Sequence, residues 1–266
     1  MQEHISVKKQ KKYGLIGKAI SYSFSKKYFT DKFEKEGLLN CSYENFDLQI
    51  ITQFPGIIRN NPSLKGLNVT IPYKEKVIPY LDKLSEKAQK IGAVNCIKFT
   101  KKGKLKGYNT DYYGFKKSIQ PLLQPHHQKA LILGTGGASK AVAFALEELG
   151  ILYTFVSRSK KENALDYKYI NATTFDNYQL IINCTPLGTH PNIEEYPPIP
   201  YGYFTPEHLA YDLIYNPEET LFLKQAKSKG AVTKNGYEML VLQAERGWKI
   251  WNKKSISTFS NTDTDI

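Results

Sequence analysis

Along this chain two rhythms alternate: short unbroken apolar runs, and longer stretches in which apolar residues recur at helical spacing. Ala130-Leu-Ile-Leu133 has no polar interruption, as a buried strand requires. It breaks into a glycine turn and resumes from about Gly137 to Leu149 as a helix, with Gly150 as its stop. Leu152 to Val156 is the next strand, making a βαβ unit, and Leu180 to Asn183 is another buried strand followed by a tight turn. A proline-rich run from Pro191 to Pro206 reads as a long surface loop. Beyond it come a strand over Leu209 to Leu213, a helix over Glu218 to Lys229 and a short strand over Ala231 to Thr233.

The N-terminal half follows the same logic. Lys12 to Gly17 predicts a strand, and Ser25 is placed to cap a helix running to Glu36 and ended by Gly37. A strand near Asn40 to Tyr43 precedes a helix near Asp47 to Phe54. Leu67, Val69 and Ile71 alternate with Asn68 and Thr70, so the two polar residues share one face of a strand. Pro72 ends it and opens a helix, which places Lys74 near the strand's carboxyl end. A helix over Asp82 to Ile91, a strand over Gly92 to Phe99 and a hairpin turn at Lys101 to Lys104 lead back to Gly107. Asp111 is placed to cap a helix from Tyr112 to Leu122, and Pro121, Pro125, His126 and His127 read as an inter-domain connection. Asn235 opens a last helix reaching about Trp251, with Met239, Leu240, Leu242 and Trp248 on its packing face and the Gln243 amide free to meet a ligand.

Four stretches carry candidate chemistry. Gly134-Thr-Gly136-Gly137-Ala138-Ser139 joins a strand to a helix N-terminus, where small residues and unpaired N–H groups suit a pyrophosphate. Its spacing matches the dinucleotide fingerprint at two glycines, with serine in the third place. After the following strand, where an NAD site carries an acidic residue for the ribose, the chain reads Ser157-Arg158-Ser159-Lys160-Lys161. A guanidinium and two ammonium groups suit a 2′-phosphate, which favours NADP. Ser21, Ser23 and Ser25 offer alternate hydroxyls from one turn, as a polyhydroxylated ligand would need. Asn68, Thr70 and Lys74 set hydroxyl-gripping groups beside a proton-transferring amine.

Composition narrows the classes. The 266 residues suffice for two modest domains, and 41% apolar with 23% charged residues is ordinary for a globular protein. No apolar run is long enough to span a bilayer, and no signal-peptide core follows the polar N-terminus. Three dispersed cysteines suggest neither a disulfide framework nor a zinc site, so a reducing cytoplasm is expected. No histidine–carboxylate cluster calls for a metal. The net charge of +12 raises nucleic acid, but the lysines at 8–12 and 101–106 carry no reader motif. A basic surface that attracts anionic small molecules accounts for the sign, and no nucleic-acid partner is expected. The tail from Lys253 to Ile266 is polar and without periodicity.

Together these stretches resemble the shikimate dehydrogenase family, from the first strand to the last helix. The resemblance rests on the serine turn, Asn68-Val-Thr70-x-Pro72-x-Lys74, Gly92-Ala-Val-Asn95, Asn109-Thr-Asp111-x-x-Gly114, the glycine turn, Asn183-x-Thr185-Pro-x-Gly188 and Asn235-Gly236-x-x-Met239-Leu-x-x-Gln243-Ala. It implies an α/β fold of two lobes: a substrate-binding domain (1–111 with the returning helix, 237–266) and a Rossmann NADP-binding domain (112–236). The reaction implied is reversible, NADP-dependent reduction of 3-dehydroshikimate to shikimate, in chorismate and aromatic amino-acid biosynthesis, by a monomer or homodimer. Carried over by position, Lys74 and Asp111 form the catalytic pair. Ser23, Ser25, Asn68, Thr70, Asn95, Tyr215 and Gln243 meet the substrate. Gly134, Gly136, Gly137, Ala138, Ser139, Ser157, Arg158, Lys161, Thr185, Gly236 and Met239 meet the cofactor. The chain departs from the family pattern with Lys18-Ala19 for Asn-Pro, Tyr22 for histidine and Ser157 for asparagine. Rival readings are a quinate/shikimate dehydrogenase using NAD, a non-catalytic shikimate-sensing relative and a basic nucleic-acid-binding protein.

Overall fold

A computed structural model describes residues 9–21, 23–159 and 162–253; Tyr22, Lys160, Lys161 and the tail beyond 253 lie outside the described residues. The chain builds two six-stranded sheets in succession. The first contains β1 (Lys11–Gly17), β2 (Cys41–Asp47), β3 (Leu64–Val69), β4 (Lys83–Leu84), β5 (Cys96–Phe99) and β6 (Leu105–Tyr108) in the order β2-β1-β3-β5-β6-β4. Its β1 pairs in parallel with β2 and β3, and the β5–β6 hairpin adds antiparallel to β3. Helices α1 (Phe24–Lys35), α2 (Phe54–Asn60) and α3 (Glu86–Ile91) accompany it, and α4 (Asp111–Ile119), which follows β6, packs into the core of the second sheet.

The second sheet contains β7 (Lys129–Leu133), β8 (Leu152–Ser157), β9 (Ala164–Asp166), β10 (Leu180–Asn183), β11 (Leu209–Asp212) and β12 (Val232–Lys234), with α5 (Gly137–Glu148), α6 (Ala172–Asn177) and α7 (Leu221–Lys227) between them. Its order, β12-β11-β10-β7-β8-β9, is parallel throughout. That is the doubly wound Rossmann order, with the switch point between β7 and β10. The unbroken apolar runs have a cause here. Successive residues of a strand face opposite ways, so Ala130, Ile132, Leu180 and Ile182 enter one core while Leu131, Leu133 and Ile181 enter the other. Both faces are covered, so neither can be polar.

Helix α8 (Tyr237–Asn252) begins beside the second sheet and ends on the first. There Trp251 Nε1 donates to the Ile97 carbonyl at 3.0 Å and Lys98 Nζ to the Ile250 carbonyl at 2.7 Å. Gly66 makes room for that indole: a Cβ would stand 2.3 Å from Trp251 Nε1. Gly114 does the same between α4 and α8, since a Cβ there would meet the Met239 carbonyl oxygen at 2.5 Å. The two helices therefore bridge the sheets as one packed pair.

Several boundaries differ from the sequence expectations. Ser23, not Ser25, caps α1, accepting from Ser25 N at 3.2 Å. Strand β2 continues to Asp47, and helix starts only at Phe54, after a short 3-10 turn at Ile51–Gln53. Pro72 opens turns rather than a helix. The Lys74 carbonyl, which a helix would bond to residue 78, accepts instead from Val94 N at 2.7 Å, and Pro79 has no N–H to offer Glu75. The helix expected from Asp82 begins at Glu86, because Lys83–Leu84 pair with β6 and Ser85 provides the cap. The helix expected from Glu218 starts at Leu221, after its cap Thr220. Asp111 is the first residue of α4 and not its cap: Asn109 Oδ1 accepts from Asp111 N at 3.0 Å and from Tyr112 N at 3.3 Å. The proline-rich loop is anchored inward, with Ile199, Tyr201 and Phe204 in the core.

Candidate active site

The turns after β3, the turn before β5, the start of α4 and the second turn of α8 meet at one point. Lys74, on the turns after β3, sets Nζ 2.7 Å from Asp111 Oδ2, and both side chains are mostly buried. The capping done by Asn109 leaves the Asp111 carboxylate free for this pairing. Its other oxygen, Oδ1, accepts from Asn95 Nδ2 at 2.7 Å. Asn95 is fixed in turn: Oδ1 accepts from Thr110 N at 2.6 Å, and Nδ2 reaches Thr110 Oγ1 at 3.0 Å and Gln243 Oε1 at 3.3 Å. Gln243 anchors Nε2 on the Leu240 carbonyl at 2.9 Å. The result is an ammonium held by one carboxylate oxygen and a buried amide network holding the other.

Around this pair lie the remaining substrate candidates. Asn68 is buried on β3 and accepts from Tyr43 OH at 2.7 Å. The Ser25 side chain lies close to Tyr43 OH, and burial raises the phenol well above the ordinary range. Thr70, half-buried, donates N–H to the Ile16 carbonyl at 2.9 Å. Gly17 admits it closely, for a Cβ there would stand 2.5 Å from Thr70 Cγ2. Ser23 and Ser25 are half-buried at the head of α1. Phe24 between them reaches across to Tyr215, with ring centroids 5.7 Å apart.

The glycine turn faces this group from the second sheet. Gly134 has φ +104°, a left-handed conformation that favours glycine. A Cβ on Gly137 would lie 3.4 Å from Lys74 Cβ, and Lys140 Nζ pairs with Glu75 Oε2 at 2.7 Å across the same gap. Ser139 is buried and donates its hydroxyl to the Gly136 carbonyl at 2.7 Å, so it offers a ligand its backbone N–H only. Ala138 sits between them in the first turn of α5. Ser157 is buried at the end of β8, and Arg158 beside it is exposed; Lys161 falls outside the described residues. Thr185 donates both N–H (3.0 Å) and O–H (2.7 Å) to Asn183 Oδ1. Gly236 packs where any Cβ would be 2.1 Å from the Leu213 carbonyl oxygen, and Met239 is buried one turn along α8. Among the described residues no group of three or more metal-ligating side chains occurs, and no helix is long and apolar enough to cross a membrane.

Sequence reasoning missed Tyr43, which bonds Asn68, and the latch between Glu75 and Lys140. It also missed Asp212. This carboxyl group is fully buried, and burial raises it to about 7 against the hydrogen bonds from Thr220, Ile214 and Asn183. The unfolded chain releases that proton near pH 3.8, the folded chain near 7, so the folded state binds more protons in between and stability falls as pH rises through that window. At about 1.4 kcal/mol per pH unit the loss is on the order of 4 kcal/mol. Asp212→Asn cannot titrate, so urea midpoints from about pH 4 to 8 should show its stability rising relative to the parent protein. A constant difference across that range would mean that Asp212 stays ionised when folded.

The chain as a whole has counterparts among known proteins. A family model described as the shikimate dehydrogenase substrate binding domain matches residues 15–97. A shikimate dehydrogenase (NADP(+)) of Methanosphaera stadtmanae is 38% identical over 264 residues, covering 92% of each chain. The chain belongs to the shikimate dehydrogenase family. The family's solved structures share the fold as well. Shikimate dehydrogenase from Aquifex aeolicus superposes with a TM-score of 0.82 at 33% identity, over 93% of this chain and 94% of that one. Shikimate 5-dehydrogenase from Thermus thermophilus, in complex with NADP(H) and shikimate, gives 0.80 at 31% identity over 91% and 94%.

Proposed function

We propose that this chain is an NADP-dependent shikimate dehydrogenase that reversibly reduces 3-dehydroshikimate to shikimate in chorismate biosynthesis, in the cytoplasm. The observation that carries this is the Lys74–Asp111 pair at 2.7 Å, facing a glycine turn whose Gly137 approaches Lys74. Residues 1–111 with 237–266 form the substrate lobe and 112–236 the cofactor lobe.

The cofactor fits the residues present. Gly136 faces open space, with nothing within 4 Å of a Cβ position, and the first N–H groups of α5 lack intrahelical acceptors. The backbone from Gly134 to Ser139 would hold the pyrophosphate, with Arg158, Ser157 and Lys161 at the 2′-phosphate. Thr185, Gly236 and Met239 would line the nicotinamide side. When bound, NADPH supplies the hydride equivalent. The chain's own task is to orient the ketone and manage one proton. Lys74 Nζ stabilises the developing alkoxide as an ammonium and then protonates it. Asp111 Oδ2 aims Nζ, and Asn95 holds Asp111 from behind; with its amide engaged on Asp111, Thr110 and Gln243, Asn95 acts mainly as a positioning residue. The reverse reaction, oxidation of shikimate, releases a proton, so alkaline pH should favour it.

Ser23, Ser25, Asn68, Thr70, Tyr215 and Gln243 grip the substrate in this reading. Thr70→Ala and Gln243→Ala should each weaken shikimate binding by about 1 kcal/mol, roughly fivefold, and leave NADP binding unchanged. Ser23→Ala should also lose about 1 kcal/mol of stability, since Ser23 caps α1. Titrations in which NADP affinity falls instead would mean the lobes are assigned the wrong way round. The direct test of the function is an assay of purified protein with shikimate and either NADP or NAD, followed by the absorbance of the reduced nicotinamide. Absent turnover with both would favour the sensing relative, and preference for NAD the quinate/shikimate enzyme.

A further inference from the structure

At the carboxyl end of the second sheet, Asp212 is paired in register with Asn183 and is fully buried. Its carboxylate takes three neutral donors. Oδ1 accepts from Asn183 Nδ2 at 3.1 Å and from Ile214 N at 3.0 Å, and Oδ2 accepts from Thr220 Oγ1 at 2.6 Å. The strands need no such help to pair, because Leu213 N already continues the ladder onto the Asn183 carbonyl at 3.0 Å. Burying a carboxylate against neutral partners is costly, so simple joining of strands does not explain it.

A steering role does. Asp212 Oδ1 also takes the Ile214 N–H and accepts whether or not the group is protonated, so it compels Asn183 to turn its NH2 inward. The amide oxygen then has one direction left, toward Thr185, whose N–H and O–H both bond to it. That turn abuts the glycine turn: a Cβ on Gly134 would stand 3.2 Å from Thr185 Cγ2. The second arm runs through Ile214, whose carbonyl accepts from Gly236 N at 2.9 Å, at the start of the helix that carries Met239 and Gln243. The third runs through Thr220, whose Cβ would lie 3.5 Å from one on Gly188, at the far end of the Asn183–Gly188 turn.

We propose that Asp212 is a positioning residue for the cofactor: it fixes the orientation of the Asn183 amide and so sets the Thr185 and Gly236 turns against which the nicotinamide half of a dinucleotide lies. This rests on the cofactor face assigned above. The test measures dissociation constants of NADP and of shikimate, each alone, for the wild-type protein and for Asp212→Ala, Asp212→Asn, Asn183→Ala and the Asp212→Ala/Asn183→Ala double variant. Asp212→Ala should weaken NADP by at least about tenfold and shikimate by less than about threefold, the loss expected when buried donors are stranded on one side of the cleft. Asp212→Asn should stay within about threefold of wild type, because one amide oxygen still accepts from Asn183 and Ile214. The double variant should be scarcely weaker than the singles, because the two residues act in one chain of bonds. Should Asp212→Ala not fold, Asn183→Ala carries the same expectation. Unchanged NADP affinity in these variants, or equal loss of both ligands, overturns the proposal. A wild-type protein that does not bind NADP overturns the cofactor reading itself, and the proposal with it.

Discussion

Lys74→Ala is expected to turn over shikimate roughly a hundred- to ten-thousand-fold more slowly than the parent protein, the scale for losing one positioned acid–base group. The loss should fall on kcat rather than on binding. Lys74 holds no part of the amide network, in which Asn95 joins Asp111, Thr110 and Gln243, and the groups proposed to grip hydroxyls come from other elements. Removal of the ammonium leaves the Asp111 carboxylate, itself mostly buried, with Asn95 as its remaining partner. Asp111→Asn provides the complementary variant. It removes the charge that aims Nζ and keeps an oxygen for Asn95, so it should lower kcat with the amide network intact. The measurement is kcat with both substrates saturating, together with a shikimate dissociation constant obtained without cofactor. Turnover of Lys74→Ala near that of the parent protein would remove the lysine from the proton-transfer step and leave the 2.7 Å pair as a structural ion pair only.

Much of this arrangement is legible in the sequence where burial is complete. β7 and β10 read directly because both faces are covered, and the glycine turn reads because strand, glycines and helix follow without a gap. The misread segments are those where a distant partner decides. Nothing local tells that Val94 N takes the Lys74 carbonyl and so prevents a helix after Pro72. Strand β9, three half-buried residues at a sheet edge, and α6, six residues long, carry too short a pattern to register. In the site, Lys74 and Asp111 stand 37 residues apart, and their pairing is implied in the sequence only by resemblance to a family. Asn109 and Thr110 lay inside a motif already singled out. Asp212 did not, since an aspartate ending a strand gives no sign of the three donors that the fold brings to it.

Cofactor choice should turn on Arg158. It follows Ser157 at the end of β8, the place where an acid would mark an NAD site. A 2′-phosphate carries close to two negative charges, and a planar guanidinium meets it bidentately. Arg158 is exposed, so its side chain can swing onto a phosphate, and solvent will screen part of the attraction. Arg158→Asp removes the guanidinium and adds a carboxylate that repels the phosphate but accepts from a free 2′-hydroxyl. Charge-assisted bonds contribute about 1.5–3 kcal/mol, so the ratio of kcat/KM for NADP over NAD should fall by roughly ten- to a hundredfold. Activity with NAD should be kept or improved, because the substitution leaves the glycine turn and the Lys74–Asp111 pair untouched. Ser157 is turned inward, its hydroxyl accepting from Ser159 N at 3.3 Å. That bond shapes the loop on which Arg158 stands, so Ser157→Ala should shift the ratio in the same direction by less. Both ratios are to be measured at fixed shikimate and low ionic strength, where screening is weakest. An unchanged ratio in Arg158→Asp would place the 2′-phosphate on other residues, or show that this loop does not distinguish the two cofactors.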